Sequence, residues 1–222
     1  AIVSSGLSDA TLRSLVSKHF ENVPAGSALK AAPSKYYGGD CRAAMTDAHG
    51  HGLPVDHFFL AFEGASRVNA APLFVLESLL GGNSSVKWSA GLSPLSQITG
   101  AKAHAFNISL QDTGLFGIHV IAPSAKVSEA AKAASQTLKA AADSVSSEDV
   151  ARAVAKAKFL AAQDFEGTRA LSHETIATGL LDDSSASLDS VLDKFESIKA
   201  ADVSSAAPVS YTHLRAHETK AN

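Results

Sequence analysis

The chain has 222 residues, of which 45% are apolar, and a formal charge of −3 at neutral pH. That length can bury a substantial core in one or two domains, and the mixed, nearly balanced charge excludes the basic face of a nucleic-acid or anionic-lipid binder. A single cysteine, Cys41, excludes an internal disulfide and any zinc site built on several thiolates, and suits a reducing compartment.

Taken in chain order, Ile2-Val3 reads as the inside of a strand with no initiating Met, so the native N-terminus is expected upstream. Ser8-Asp9 predicts a helix start, and Leu12, Leu15, Val16 and Phe20 fall on one face of a helix running to about Phe20. Glu21 to Ser34 is rich in Pro, Gly, Ala and Ser and is the expected domain boundary. Strands are expected over Tyr36–Asp47 and Val55–Glu63. Asn69 to Leu80 reads as a helix that tolerates Pro72 because it lies in the first turn, and Gly81-Gly82-Asn83 ends it.

Ser93-Pro94 has the N-cap and N1 pattern of a short helix. Phe106, Ile108 and Leu110 alternate with Asn107 and Ser109, and Leu115 to Ile121 forms the return strand of a hairpin turning at Asp112-Thr113-Gly114. Residues 125–143 and 147–165 read as alanine-rich helices, divided by a start signal at Ser146 with Glu148-Asp149. Helical stretches follow over Thr168–Leu181 and Leu188–Ile198, and Ala201–Ala207 opens another. Strands, a helix, a hairpin and then several helices predict an α+β fold with helices gathered on one side of a largely antiparallel sheet.

Residues 209–219, VSYTHLRAHET, correspond to the in-frame translation of a transposon-type sequencing-library adapter, and Lys220-Ala221-Asn222 fits an index sequence after it. Residues 208–222 are therefore expected to be a non-native tail. The distinction matters because His213-x-x-x-His217-Glu218 otherwise mimics a helical metal motif.

Asp47-x-His49-x-His51 with His57 is the one histidine cluster outside that tail. On a strand, alternate residues share a face and could converge on a metal, but Gly50, Gly52 and Pro54 favour a solvated turn. His173-Glu174 begins like a zincin helix, yet Ala177 stands where the second ligand belongs, and no Gly-x-Ser-x-Gly elbow occurs. The glycine loop at 81–91 lacks a Gly-Lys-Ser/Thr ending and follows a helix, so it is neither a Walker loop nor a dinucleotide fingerprint. Lys87 and Trp88 within it could meet an anion or a peptide, although a surface pair is the simpler reading. The alanine faces of 129–142 and 150–162 predict close helix packing.

Three blocks carry a family resemblance: VDHFFLAFEG at 55–64, LLGG followed by SSVKWS across 79–89, and Ala105-Phe106-Asn107 leading into DTGLFG at 112–117. With the phased helices at Val150–Ala153 and the Ala201-Asp202-Val203 start, they resemble the C-terminal half of an M16-type, mitochondrial-processing-peptidase-like protein with the LuxS/MPP-like metallohydrolase fold. The resemblance covers essentially all of 1–207. It implies that 1–27 ends an N-terminal domain, 28–48 holds the linker and first strands, and 49–207 is the C-terminal domain, truncated. The family's zinc ligands lie in an inverted zincin motif near the start of the catalytic partner. No catalytic, cofactor-binding or metal-binding residue is therefore carried onto this chain, and no cofactor is implied.

The loop at 81–88 has fewer glycines than the family loop that engages presequences. This favours the non-catalytic core subunits of the mitochondrial ubiquinol–cytochrome c reductase (cytochrome bc1 complex). The implied partners are core protein 1, cytochrome b, cytochrome c1 and the Rieske protein, with no nucleic acid. The implied place is peripheral, on the matrix side of the inner membrane. The alternative is the non-catalytic alpha subunit of the processing peptidase, which helps a zinc-bearing partner cleave presequences. An independently active protease would need the inverted motif upstream.

Overall fold

The computed structural model describes residues 2–24, 26–27, 32–43, 55–81, 91–166, 176–177, 179–180 and 187–207. Helix α1 (Asp9–Phe20) starts where Ser8 accepts a hydrogen bond from the Thr11 N–H at 3.2 Å. Its expected apolar face is only partly covered: no α1 residue is buried, Leu12 and Val16 are half-buried, and Leu15 and Phe20 are exposed. Neither Ile2-Val3 nor residues 36–43 of the second expected strand belong to a ladder, and residues 44–47 lie outside the described residues. Residues 36–43 have β-favouring tyrosines at one end but Gly38-Gly39 in the middle, and Tyr36 Oη donates to the Ala61 carbonyl at 3.1 Å.

The sheet is antiparallel, with strands β1 (Val55–Glu63), β2 (Lys102–Ser109) and β3 (Gly114–Pro123) in the order β1-β3-β2. Its register sets Phe62 opposite Phe116 and Ala105 opposite Ile118, so one face presents Leu60 and Phe62, Phe116, Ile118, Val120 and Ala122, and Ala103 and Ala105. These residues enter the single core cluster, Leu60 from its margin. Alternation puts His57, Phe59, His104, Phe106 and His119 on the opposite face. The turn between β2 and β3 is closed by the Leu110 N–H donating to the Thr113 carbonyl at 2.8 Å, at the expected Asp112-Thr113-Gly114.

Helix α2 (Ala71–Leu80) follows a 3-10 turn at Arg67–Asn69, so the expected helix from Asn69 divides just before Pro72, which sits in the first turn of α2. Its Val75, Leu76 and Leu80 are wholly buried. Helix α3 (Val127–Asp143) lies on β3 and β1, while α4 (Ser147–Glu166) packs on α2 and α5 (Leu188–Glu196) on α4. A helical turn over residues 200–207 contributes the buried Val203 and Ala207. The alanines do what their spacing predicts: Ala130, Ala134 and Ala141 bring α3 close to the sheet, and Ala153 and Ala157 bring α4 close to α2. Helices α2 to α5 thus stack on one side of the sheet, in the α+β arrangement the sequence predicts. Of the Thr168–Leu181 helix only 176–177 and 179–180 are described, and they are helical; residues 208–222 lie outside the described residues.

Candidate functional site

The glycine loop is defined by its two ends, since residues 82–90, including Lys87 and Trp88, lie outside the described residues. At the first end Gly81 adopts φ 63°, and its N–H closes α2 on the Glu77 carbonyl at 2.7 Å. A side chain there would overlap Ser93 and come within 3.2 Å of Lys156 Nζ, so both backbone conformation and space require glycine. The Gly81 carbonyl accepts from the Ala105 N–H at 3.0 Å, tying the loop's start to the edge of β2. At the other end Gly91 has φ 81°, and its carbonyl accepts from Gln97 Nε2 at 2.9 Å. Gln97 belongs to a 3-10 turn at Pro94–Gln97, where a short helix was expected, anchored by the buried Leu95.

Charge gathers beneath the first end. Lys156 Nζ reaches the Ser78 carbonyl at 3.5 Å, placing a cation against the carbonyl-rich end of α2. Burial pushes the neighbouring Glu77 carboxyl up to about 7, Lys156 opposing the shift and Asp164 adding to it. Burial also raises Asp164. The loop root therefore rests on the half-buried Lys156 and Glu77 with the exposed Asp164 beside them, an arrangement that holds a backbone.

The second feature is on the open face of the sheet. Of the predicted cluster, Asp47, His49 and His51 lie outside the described residues, and so do His173 and Glu174. His57 meets His119, which in turn meets His104, two histidines that the sequence reading did not single out. His57 Nδ1 lies 2.9 Å from His119 Nε2, and the His104 ring stands edge-on to His119 with centroids 4.9 Å apart. Phe59 stacks on His119 at 4.0 Å with the planes 9° apart. Burial first, then the neighbouring His104 and His57, hold His119 below the ordinary imidazole range, and burial does the same to His104. The missed signal is the register: His104 stands directly opposite His119, and His57 is its diagonal neighbour.

Among the described residues no group of three or more histidine, cysteine, aspartate or glutamate side chains is arranged to hold a metal ion. No helix among them is long and apolar enough to cross a membrane. At the hairpin end of the sheet the side-chain polar atoms of Asn107, Ser109 and Thr113 are buried without hydrogen-bond partners.

The sequence profile of the peptidase M16 inactive domain matches residues 1–157. The chain is 41% identical over 178 residues to cytochrome b-c1 complex subunit 2 of Neurospora crassa, covering 76% of this chain and 38% of that protein. The subunit 2 of Cryptococcus neoformans is 38% identical over 185 residues, 81% of this chain and 41% of its own length. The mouse protein of the same name is 34% identical over 215 residues, 93% of this chain and 46% of its own length. A chain of complex III2 from Candida albicans, solved with Inz-5 bound, superimposes with a TM-score of 0.61 at 21% identity, covering 70% of this chain and 40% of that one, a likeness of fold. The chain thus spans about two fifths of the Neurospora and Cryptococcus relatives. An α+β core with helices stacked on one sheet face, matched over most of the chain by that profile, places this protein in the M16 peptidase family, through its inactive domain.

Proposed function

We propose that the chain is a portion of a non-catalytic structural core subunit of the mitochondrial ubiquinol–cytochrome c reductase. The observation that carries this is its 41% identity to subunit 2 of the cytochrome b-c1 complex over 178 residues. In this reading the subunit sits peripherally on the matrix side of the inner membrane. It pairs with core protein 1 and supports cytochrome b, cytochrome c1 and the Rieske protein without holding a cofactor. Residues 1–27 end a preceding domain and 49–207 form the second one, which gives the exposed apolar face of α1 a neighbour to pack on. The match to the inactive M16 domain supports a structural role.

The test is affinity purification of the full-length protein from detergent-solubilised mitochondria. Recovery with cytochromes b and c1 is expected. Recovery only in a soluble matrix complex that cleaves a basic presequence peptide would replace this reading with the processing-peptidase one.

A further inference from the structure

We propose that the hydrogen-bonded imidazoles of His57 and His119 are a proton-sensitive latch, which fastens the outer half of the edge strand β1 to β3 near neutral pH and releases it in acid. His57 Nδ1 and His119 Nε2 lie 2.9 Å apart, so one nitrogen donates and the other accepts. A neutral imidazole has one nitrogen of each kind, whereas an imidazolium has two donors and no acceptor. The contact is therefore made with both rings neutral. One added proton, taken on a nitrogen away from the contact, makes the donor cationic and strengthens the bond. A second added proton removes the last acceptor and sets two like charges against each other, and the contact breaks.

The strand is built to feel that break. β1 is paired on one side only, by β3. It is exposed from Val55 to Phe59, and cover begins at Leu60, with Phe62 in the core. Cross-strand side-chain contacts therefore decide how firmly its outer half is held. Phe59 stacks on His119 and His104 stands edge-on to it, so His119 stays in place and the exposed His57 is the ring that leaves. The face gives the extra charge no carboxylate nearby. Glu63 is six positions from His57 along β1, roughly 20 Å away. Asp56 beside His57 points to the opposite face by alternation. Lys102, on the same face as His104 and two positions from it, adds to the repulsion, as does His104 once protonated. From outside the sheet Tyr36 reaches β1 further along, at the Ala61 carbonyl, and α3 packs on the core side. Burial, followed by the neighbouring His104 and His57, holds His119 below the ordinary imidazole range, the sense this arrangement requires.

The test is amide hydrogen exchange of the full chain at about pH 7.5, 6.5 and 5, with each rate divided by the intrinsic rate at that pH. Protection of the amides from Asp56 to Leu60, measured relative to that of Leu76 in the buried α2, is expected to hold or rise between the first two. It should then drop at least about tenfold by the third. H57F and H57Q carry no titrating group at this position and should each abolish the drop. Both are changes at an exposed position on an edge strand, so either alone decides the outcome if the other does not fold. A drop in these variants as large as in the wild type would overturn the latch, and so would an equal fall in protection of β1 and Leu76.

Discussion

Phe106 and Gly117 stand directly opposite each other on β2 and β3, and the phenyl ring occupies the space that a side chain on Gly117 would need. The same space is bounded on the other side by the Leu60 carbonyl and the Ala61 backbone. G117A must therefore displace backbone as well as a ring. It is expected to cost about 1–3 kcal/mol in the free energy of unfolding, read from the shift of a urea midpoint.

The core and the N-terminal helix should respond unequally to truncation. Leu76 on α2 is fully buried, whereas Leu15 on α1 is 42% exposed. L76A is expected to cost about 2–5 kcal/mol and L15A less than about 0.5 kcal/mol in the same urea experiment. A larger effect of L15A would show that α1 packs against the domain.

Glu77 makes stability fall as pH rises. Its carboxyl is raised from 4.5 to about 7 in the fold, so the native state holds the proton more tightly than the unfolded chain does. The stabilisation is complete below 4.5 and is lost as pH climbs through about 7, an effect on the order of 3 kcal/mol. His104 and His119, lowered by burial, act in the opposite sense and cost stability as pH drops through 6.5. The difference in unfolding free energy between wild type and E77Q cancels the histidines. It should move in favour of E77Q between pH 4.5 and 7.5, and a flat difference would contradict the buried carboxyl.

Ser146 begins α4 by accepting from the Asp149 N–H at 3.0 Å, and its own hydroxyl donates to Asp149 Oδ2 at 2.6 Å. S146A should lower stability by about 1 kcal/mol. S146T should recover most of that loss, because its hydroxyl accepts the same N–H and still donates to Asp149.

What the sequence made legible were the features with local causes. The start signal at Ser146 and the phased alanines place α4 within a residue of where it lies, and α3 within two. The hairpin at Asp112–Gly114 follows from turn residues between alternating segments. The segment at 36–43 shows the limit, because a strand is defined by its partner and two tyrosines do not supply one. The histidine group shows it more sharply: His57, His104 and His119 lie up to 62 positions apart and become neighbours only through the register that sets His104 and Phe59 opposite His119. The glycine loop was visible as composition, but its anchoring by Lys156 and Gln97 depended on helix packing.

Because Gly81 and Gly91 are each fastened to the body of the domain, the stretch between them is a cassette held by two fixed posts. The cost of closing a loop rises slowly with its length, about 0.6 kcal/mol for each doubling. Its composition and number of residues can therefore change during evolution, or by grafting, with little penalty to the rest of the fold. The same scaffold can then carry a longer glycine-rich loop in one relative and a shorter one in another, so a binding function can be gained or retired without rebuilding the domain.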